Sequence, residues 1–220
     1  MKIVQPNCLI QLTPDDFALI SKALGGGNAL EQLLREDDTL PEILDDPGLL
    51  AAIQDNPARL KMSAHLYFYL LTRRVLREVE LLNRNLAEYL AELLVHFADA
   101  KRLKVSVEGQ RPCEYFHEML AALQQADADT IFRIRAAMGN YALFMVGLFP
   151  EHIRLRAARK GAPSVGYFVG MGVSGYQAAS GHKLAAKYAV AEVFSGLAGN
   201  FELVCQALHR LTERYLFLAA

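Results

Sequence analysis

The chain has 220 residues, 53% of them apolar, a formal net charge of −1 and three cysteines. That length supports one medium domain with a core of its own, and Cys8, Cys113 and Cys205, odd in number and without a C-x-x-C pair, argue against a disulfide framework or zinc knuckle and for a reducing, cytosolic compartment. The charge is unevenly spread, with ten Asp/Glu against four Lys/Arg through Leu60 and nineteen basic against fourteen acidic residues beyond it, an acidic front that could lie against a basic body.

Helix signals dominate from the start. The opening "MKIVQPNCLIQLTPDD" has no uninterrupted apolar run and reads as a chain without a secretory signal; "CLIQL" within it is a strand candidate. In "TPDDFALISKALGGG", Thr13 is placed to cap a helix, Pro14 takes its first position, two acids follow, and Gly25 to Gly27 stop it. Short helices follow in "NALEQLLRED" and "LPEILDD", with helix starts at Asp46-Pro47 and Asn56-Pro57. From Pro57 the segments lengthen. "ARLKMSAHLYFYLLTRRVLREVELL" is apolar on nearly every face until Arg73, which predicts an enclosed, central first half. "NLAEYLAELLVHFADAKR" buries Leu86, Leu90, Leu93, Leu94 and Phe97 on one side, leaving Glu88, Glu92 and Asp99 to solvent. "LKVSVEGQRP" is a break, a loop or a short hairpin arm. "PCEYFHEMLAALQQ" follows, with Phe116, Met119, Leu120 and Leu123 inward, then "DADTIFRIRAAMGNYALFMVGLF" and the basic "PEHIRLRAARKGAP". The last stretch reads as one or two helices with a break at Gly196 and Gly199. The fold class is all-α, an orthogonal or bundle-like array of about eight to ten helices with at most a minor β-hairpin. Residues 1–56 form an acidic segment of short helices packed on a main helical domain over 57–220. The most apolar run, Ala136 to Phe149, is shorter than the ~20 residues a membrane span needs and reads as a buried core helix.

Several motifs invite chemistry. Gly170-x-Gly172-x-x-Gly175 has the spacing of a dinucleotide loop, but that loop needs a strand before it and a parallel sheet around it, which a helical chain does not supply. The alternative is a helix or irregular loop in which Gly166, Gly170, Ser174 and Ala178 form a close-packing ridge, with Gly172, Gly175 and Ala179 as a second notch. Glu114-x-x-His117 matches one arm of a di-metal bundle, but the second pair is absent and Glu114 falls opposite the apolar stripe. His65, in an apolar setting one turn before Tyr69, must find a partner; a core histidine bonded to a tyrosine or a carbonyl is the reading.

No G-x-S-x-G elbow and no activating setting for a cysteine is present, so no catalytic residue, metal or cofactor is assigned. The expected function is non-catalytic binding or regulation through protein contacts. The expected surface spans Phe149 to Gln177, with Arg154, Arg156, Arg159 and Lys160 meeting an anion or an acidic partner. Nucleic acid is not expected, since the total charge is near neutral and no reading-helix motif occurs. Two alternatives stand beside it: a small-molecule binder or enzyme using a pocket around His65, Tyr67, Tyr69 and Arg73, and a helical di-metal oxidoreductase. Self-association is a further expectation, through the glycine ridge or the terminal "RYLFLAA".

Overall fold

The computed structural model describes residues 3–34, 39–46, 48–55, 61–98 and 116–216, apart from the side chains of 28, 29 and 160. Among them run thirteen α-helices and no strand: α1 Pro14–Ala23, α2 Asn28–Leu33, α3 Leu40–Ile43, α4 Leu49–Gln54, α5 Ala64–Arg77, α6 Arg84–Ala98, α7 Phe116–Leu123, α8 Ala128–Leu148, α9 Pro150–Lys160, α10 Val165–Ser180, α11 Lys183–Lys187, α12 Ala191–Gly199 and α13 Phe201–Tyr215. Nine of these reach seven residues or more. The "CLIQL" segment is a 3-10 turn over Leu9–Gln11 rather than a strand, and the 103–112 break lies outside the described residues.

Local chemistry sets the helix starts. Thr13 and Asp16 form a reciprocal capping box ahead of α1, in which Asp16 Oδ2 accepts from Thr13 N at 2.8 Å. The same carboxylate, fully buried, accepts from Ser63 N at 2.8 Å through Oδ1. One side chain thus joins the start of α1 to the start of α5. Ser63 itself caps α5 by accepting from Leu66 N, so that helix begins at Ala64, and the expected start at Asn56-Pro57 lies outside the described residues. Asp46 accepts from Gly48 N at 2.6 Å and α4 opens at Leu49. Gly25, at φ 69°, takes the left-handed turn after α1 that favours glycine.

The central helix is α8, not the first half of α5. Thirteen of its 21 residues are buried, from Phe132 to Leu148, and α10, α13, α7 and α9 pack around it. In α5 the enclosed half is the second, Tyr69 to Leu76, with Arg73 included. The expectation failed because an arginine buried by an ion pair does not mark the solvent face. On α6 the buried stripe is the expected one. On α7 it is Phe116, Met119 and Ala122, while Leu120 is 38% exposed. The C-terminal region breaks twice, before Ala191 and at Asn200.

The glycine-rich segment is one continuous helix, capped by Ser164, which accepts from Tyr167 N; this removes the dinucleotide-loop reading. Its contact face is the notch, not the ridge. A Cβ on Gly175 would stand 2.7 Å from Arg135 O and 2.9 Å from Gly139 N, and one on Gly172 would collide with the Phe201 ring. Gly166, Gly170, Ser174 and Ala178 are exposed. Beside the notch, Asn140 Oδ1 accepts from Tyr89 Oη at 2.5 Å and from Tyr176 Oη at 2.9 Å. Three buried polar groups from α6, α8 and α10 therefore satisfy one another.

These contacts predict opposite outcomes for two glycines of one helix. Gly175→Ala drives a methyl into backbone and lowers stability by about 1–3 kcal/mol. Gly170→Ala, with no atom within 4 Å of the new Cβ, raises it by up to about 1 kcal/mol. Urea unfolding midpoints of the two variants check this.

Candidate functional site

Four consecutive helices, α7 to α10, line one recess. Phe149, at φ −128° and ψ 42°, ends α8 and lets Pro150 open α9. Gly161, at φ 59°, ends α9 in the left-handed region, and Ser164 restarts the chain as α10. The returning helix brings Phe168 5.1 Å from the Phe116 ring, which also meets Tyr141 edge-on at 5.3 Å. These rings, with Met145 and Ile153, enclose an apolar cavity of about 170 Å³, and Arg156, His117 and His152 stand among its lining.

The basic residues separate in role. Arg154 pairs with Glu151 within α9. Arg156 and Arg159 are exposed, and neither forms an ion pair among the described residues. The side chain of Lys160 lies outside the described set. Among the described residues of α9, Pro150 and Ile153 are buried, while Leu155 is 52% exposed. Leu155, Arg156 and Arg159 give this helix an apolar and basic exposed face.

The second group of expected residues is not gathered into one pocket. His65 is a quarter exposed, with Nε2 3.2 Å from Glu92 Oε1; its partner is a carboxylate, not the expected tyrosine or carbonyl. Glu88 and Glu92 are half-buried rather than solvated. The N-terminal segment covers them: Leu9 N donates to Glu88 Oε2 at 3.4 Å and Cys8 Sγ to the His65 carbonyl at 3.3 Å. Burial pushes the Glu88 carboxyl up, and the Leu9 hydrogen bond offsets this in part. A polar recess of about 370 Å³ opens beside His65, Glu92 and His96.

Tyr67 Oη donates to the Tyr215 carbonyl at 3.4 Å. Tyr69 is fully buried and its hydroxyl has no hydrogen-bond partner among the described residues; burial, with the charges of Asp45 and Glu88, pushes it up to about 12. Arg73 is structural. It donates to Asp45 through Nε at 2.6 Å and Nη2 at 3.0 Å, and to the Leu82 carbonyl through Nη1 at 2.7 Å. Arg77 and Arg84 converge on the same carboxylate at 3.1 and 2.9 Å. Burial alone would raise Asp45, but hydrogen bonds from Arg73 and Arg84 and the charges of Arg73 and Arg77 hold it at about 2. The hub was not legible in sequence, since Asp45 lies in an acidic loop that resembles a solvated one.

Chemistry on sulfur finds little support. Burial pushes the Cys8 thiol far up and the Cys205 thiol up to about 12, away from the thiolate that acts as a nucleophile. Cys113 and Glu114 lie outside the described residues. Among the described residues no three His, Cys, Asp or Glu side chains are placed to hold a metal ion, and no helix is long and apolar enough to cross a membrane. No protein-family model, no curated protein and no solved structure matches the chain.

Two predictions follow from the Asp45 hub and its neighbour. The Asp45 carboxyl sits below its ordinary value of 3.8 when folded, so its stabilising contribution is complete above about pH 4 and lost as the pH falls towards 2. Asp45→Ala leaves Arg73 buried without its partner and costs about 3–5 kcal/mol at neutral pH, and the gap between native protein and variant narrows over that acid window in urea titrations. Tyr69→Phe removes a buried hydroxyl with no hydrogen-bond partner among the described residues, so its urea midpoint equals or exceeds the native one.

Proposed function

We propose that the protein is a non-catalytic binding module of a reducing compartment, and that the recess between α7, α8, α9 and α10 takes a large apolar side chain of a protein partner flanked by carboxylates. The observation that carries this is the coincidence of an aromatic-walled cavity with Arg156 at its edge and an uncovered basic helix beside it. Size favours a side chain over a free ligand. A cavity of about 150 Å³ holds benzene, whereas pockets for small organic ligands run from about 300 to 1,000 Å³; 170 Å³ suits a single ring or a leucine.

The energetics require more contact than the recess provides. Burying one such side chain contributes about 1.5–3 kcal/mol, and an exposed arginine–carboxylate contact adds little. Leu155, Arg156 and Arg159 along α9 are the natural extension, with the ring as the central anchor and the charges selecting acidic neighbours.

Short fluorescent peptides that flank one Trp or Phe with glutamates test the proposal by anisotropy. The glutamate-flanked peptide binds, its lysine-flanked counterpart does not, and Arg156→Glu weakens binding by about tenfold, or about 1.4 kcal/mol. Equal binding of both peptides, or no effect of Arg156→Glu, contradicts it.

A further inference from the structure

The N-terminal helices carry a groove whose chemistry is the counterpart of the α9 face. Leu24 at the end of α1, Leu33 of α2 and Ile43 of α3 line an open groove of about 460 Å³ together with Glu42 and Asp46. Leu33 is 46% exposed, and Glu42 and Asp46 are exposed beside it. Asp46 Oδ1 accepts from Gly48 N, a bond that leaves its charge in place. The wider sequence has the same sign, with ten Asp/Glu against four Lys/Arg through Leu60. Eight large apolar side chains are exposed among the described residues, and four of them fall on two surfaces: Leu24 and Leu33 in this groove, Leu155 and Tyr167 at the α9 face and its recess. Exposed apolar groups gathered on an acidic surface and on a basic one are what two complementary halves of an interface require.

We infer that copies of this chain associate through the two surfaces, with Leu33 of one protomer seated in the α9 recess of its partner. This rests on the binding reading of that recess and names the occupant as a second copy. A cavity of about 170 Å³ has room for one leucine. Leu24 and Ile43, which share the groove with Leu33, then cover Leu155, and the carboxylates of Glu42 and Asp46 meet the guanidinium groups of Arg156 and Arg159. The leucine is the anchor, and the charges set which surfaces meet. Groove and recess belong to different elements, α1 to α3 and α7 to α10. Since both are exposed within one chain, the pairing runs between copies. It closes as a reciprocal dimer where both contacts form at once, and as a ring or a chain where they do not. So small a contact gives weak, concentration-dependent association, and its ion pairs make it sensitive to salt.

Sedimentation velocity over about a hundredfold range of protein concentration tests the inference on native protein, Glu42→Arg, Arg156→Glu and an equimolar mixture of the two variants. Native protein moves from monomer to larger species as concentration rises, and added salt reverses the change. Each charge reversal alone weakens association by about tenfold or more. The mixture associates, because the unaltered groove of the Arg156→Glu copy meets the unaltered recess of the Glu42→Arg copy; a variant that had merely lost its fold would not recover on mixing. The inference is overturned if native protein stays monomeric throughout, if it associates undiminished by both reversals, or if the mixture does not recover. Peptide anisotropy reads the recess separately: glutamate-flanked peptide binding that weakens in Arg156→Glu, beside a native chain that stays monomeric, upholds the recess and overturns self-association alone.

Discussion

The contact between α8 and α10 fixes how the helices around the α9 recess are set. Gly139 and Gly175 let the two helices approach until there is no space for a methyl group between them, and each interior glycine gives up about 1 kcal/mol of helix propensity relative to alanine. The return comes from packing and from a fixed rotation. Tyr176, turned towards Asn140 beside the glycine contact, hydrogen-bonds to a side chain that Tyr89 of α6 also holds. That rotation turns Phe168 towards Phe116 and Tyr141 and leaves Gly166, Gly170, Ser174 and Ala178 in solvent. A wall of the α9 recess is therefore a consequence of glycines one to two turns away.

Two recesses of unlike chemistry follow from one helical array. The first lies where α8 turns through Pro150 into α9 and back into α10, a connection that lines it with rings and places Arg156 at its edge. The second lies where residues 3–11 cross α5 and α6, bringing amides over a pair of half-buried glutamates. The Asp45 hub uses three guanidinium groups to fasten the α3–α4 connection to α5 and α6. Such a buried pair specifies position more than it stabilises, because desolvation consumes much of the attraction. It also engages Arg73 through Nε, Nη1 and Nη2.

Much of the fold was legible because its signals are local. Thr13, Pro14 and Asp16 sit within four residues and define a helix start on their own, and the leucine stripe of α6 needs only its own periodicity. The functional geometry was not, because it depends on partners far along the chain. Two small-residue faces of α10 have equally good spacing, and only Gly139 of another helix decides which is covered. Glu88 and Glu92 lie opposite the leucines, as a solvated face would, and only the crossing of residues 3–11 encloses them. Arg156 could be singled out as basic and near an apolar helix, but the cavity beside it requires Phe116 and Phe168 to meet across more than fifty residues of sequence.

The central claim is that the α9 recess accepts an apolar group only in company with a negative charge. Its most direct test is the carbon-13 methyl spectrum of Met145 and Ile153, both of which line the cavity, during titration with 3-phenylpropionate and separately with 3-phenylpropylamine. The account predicts saturable shifts of both methyls with the carboxylate, little change with the amine, and no movement of the remote Leu71 methyls in either case. Equal shifts with the two compounds, or none with the carboxylate, would contradict it.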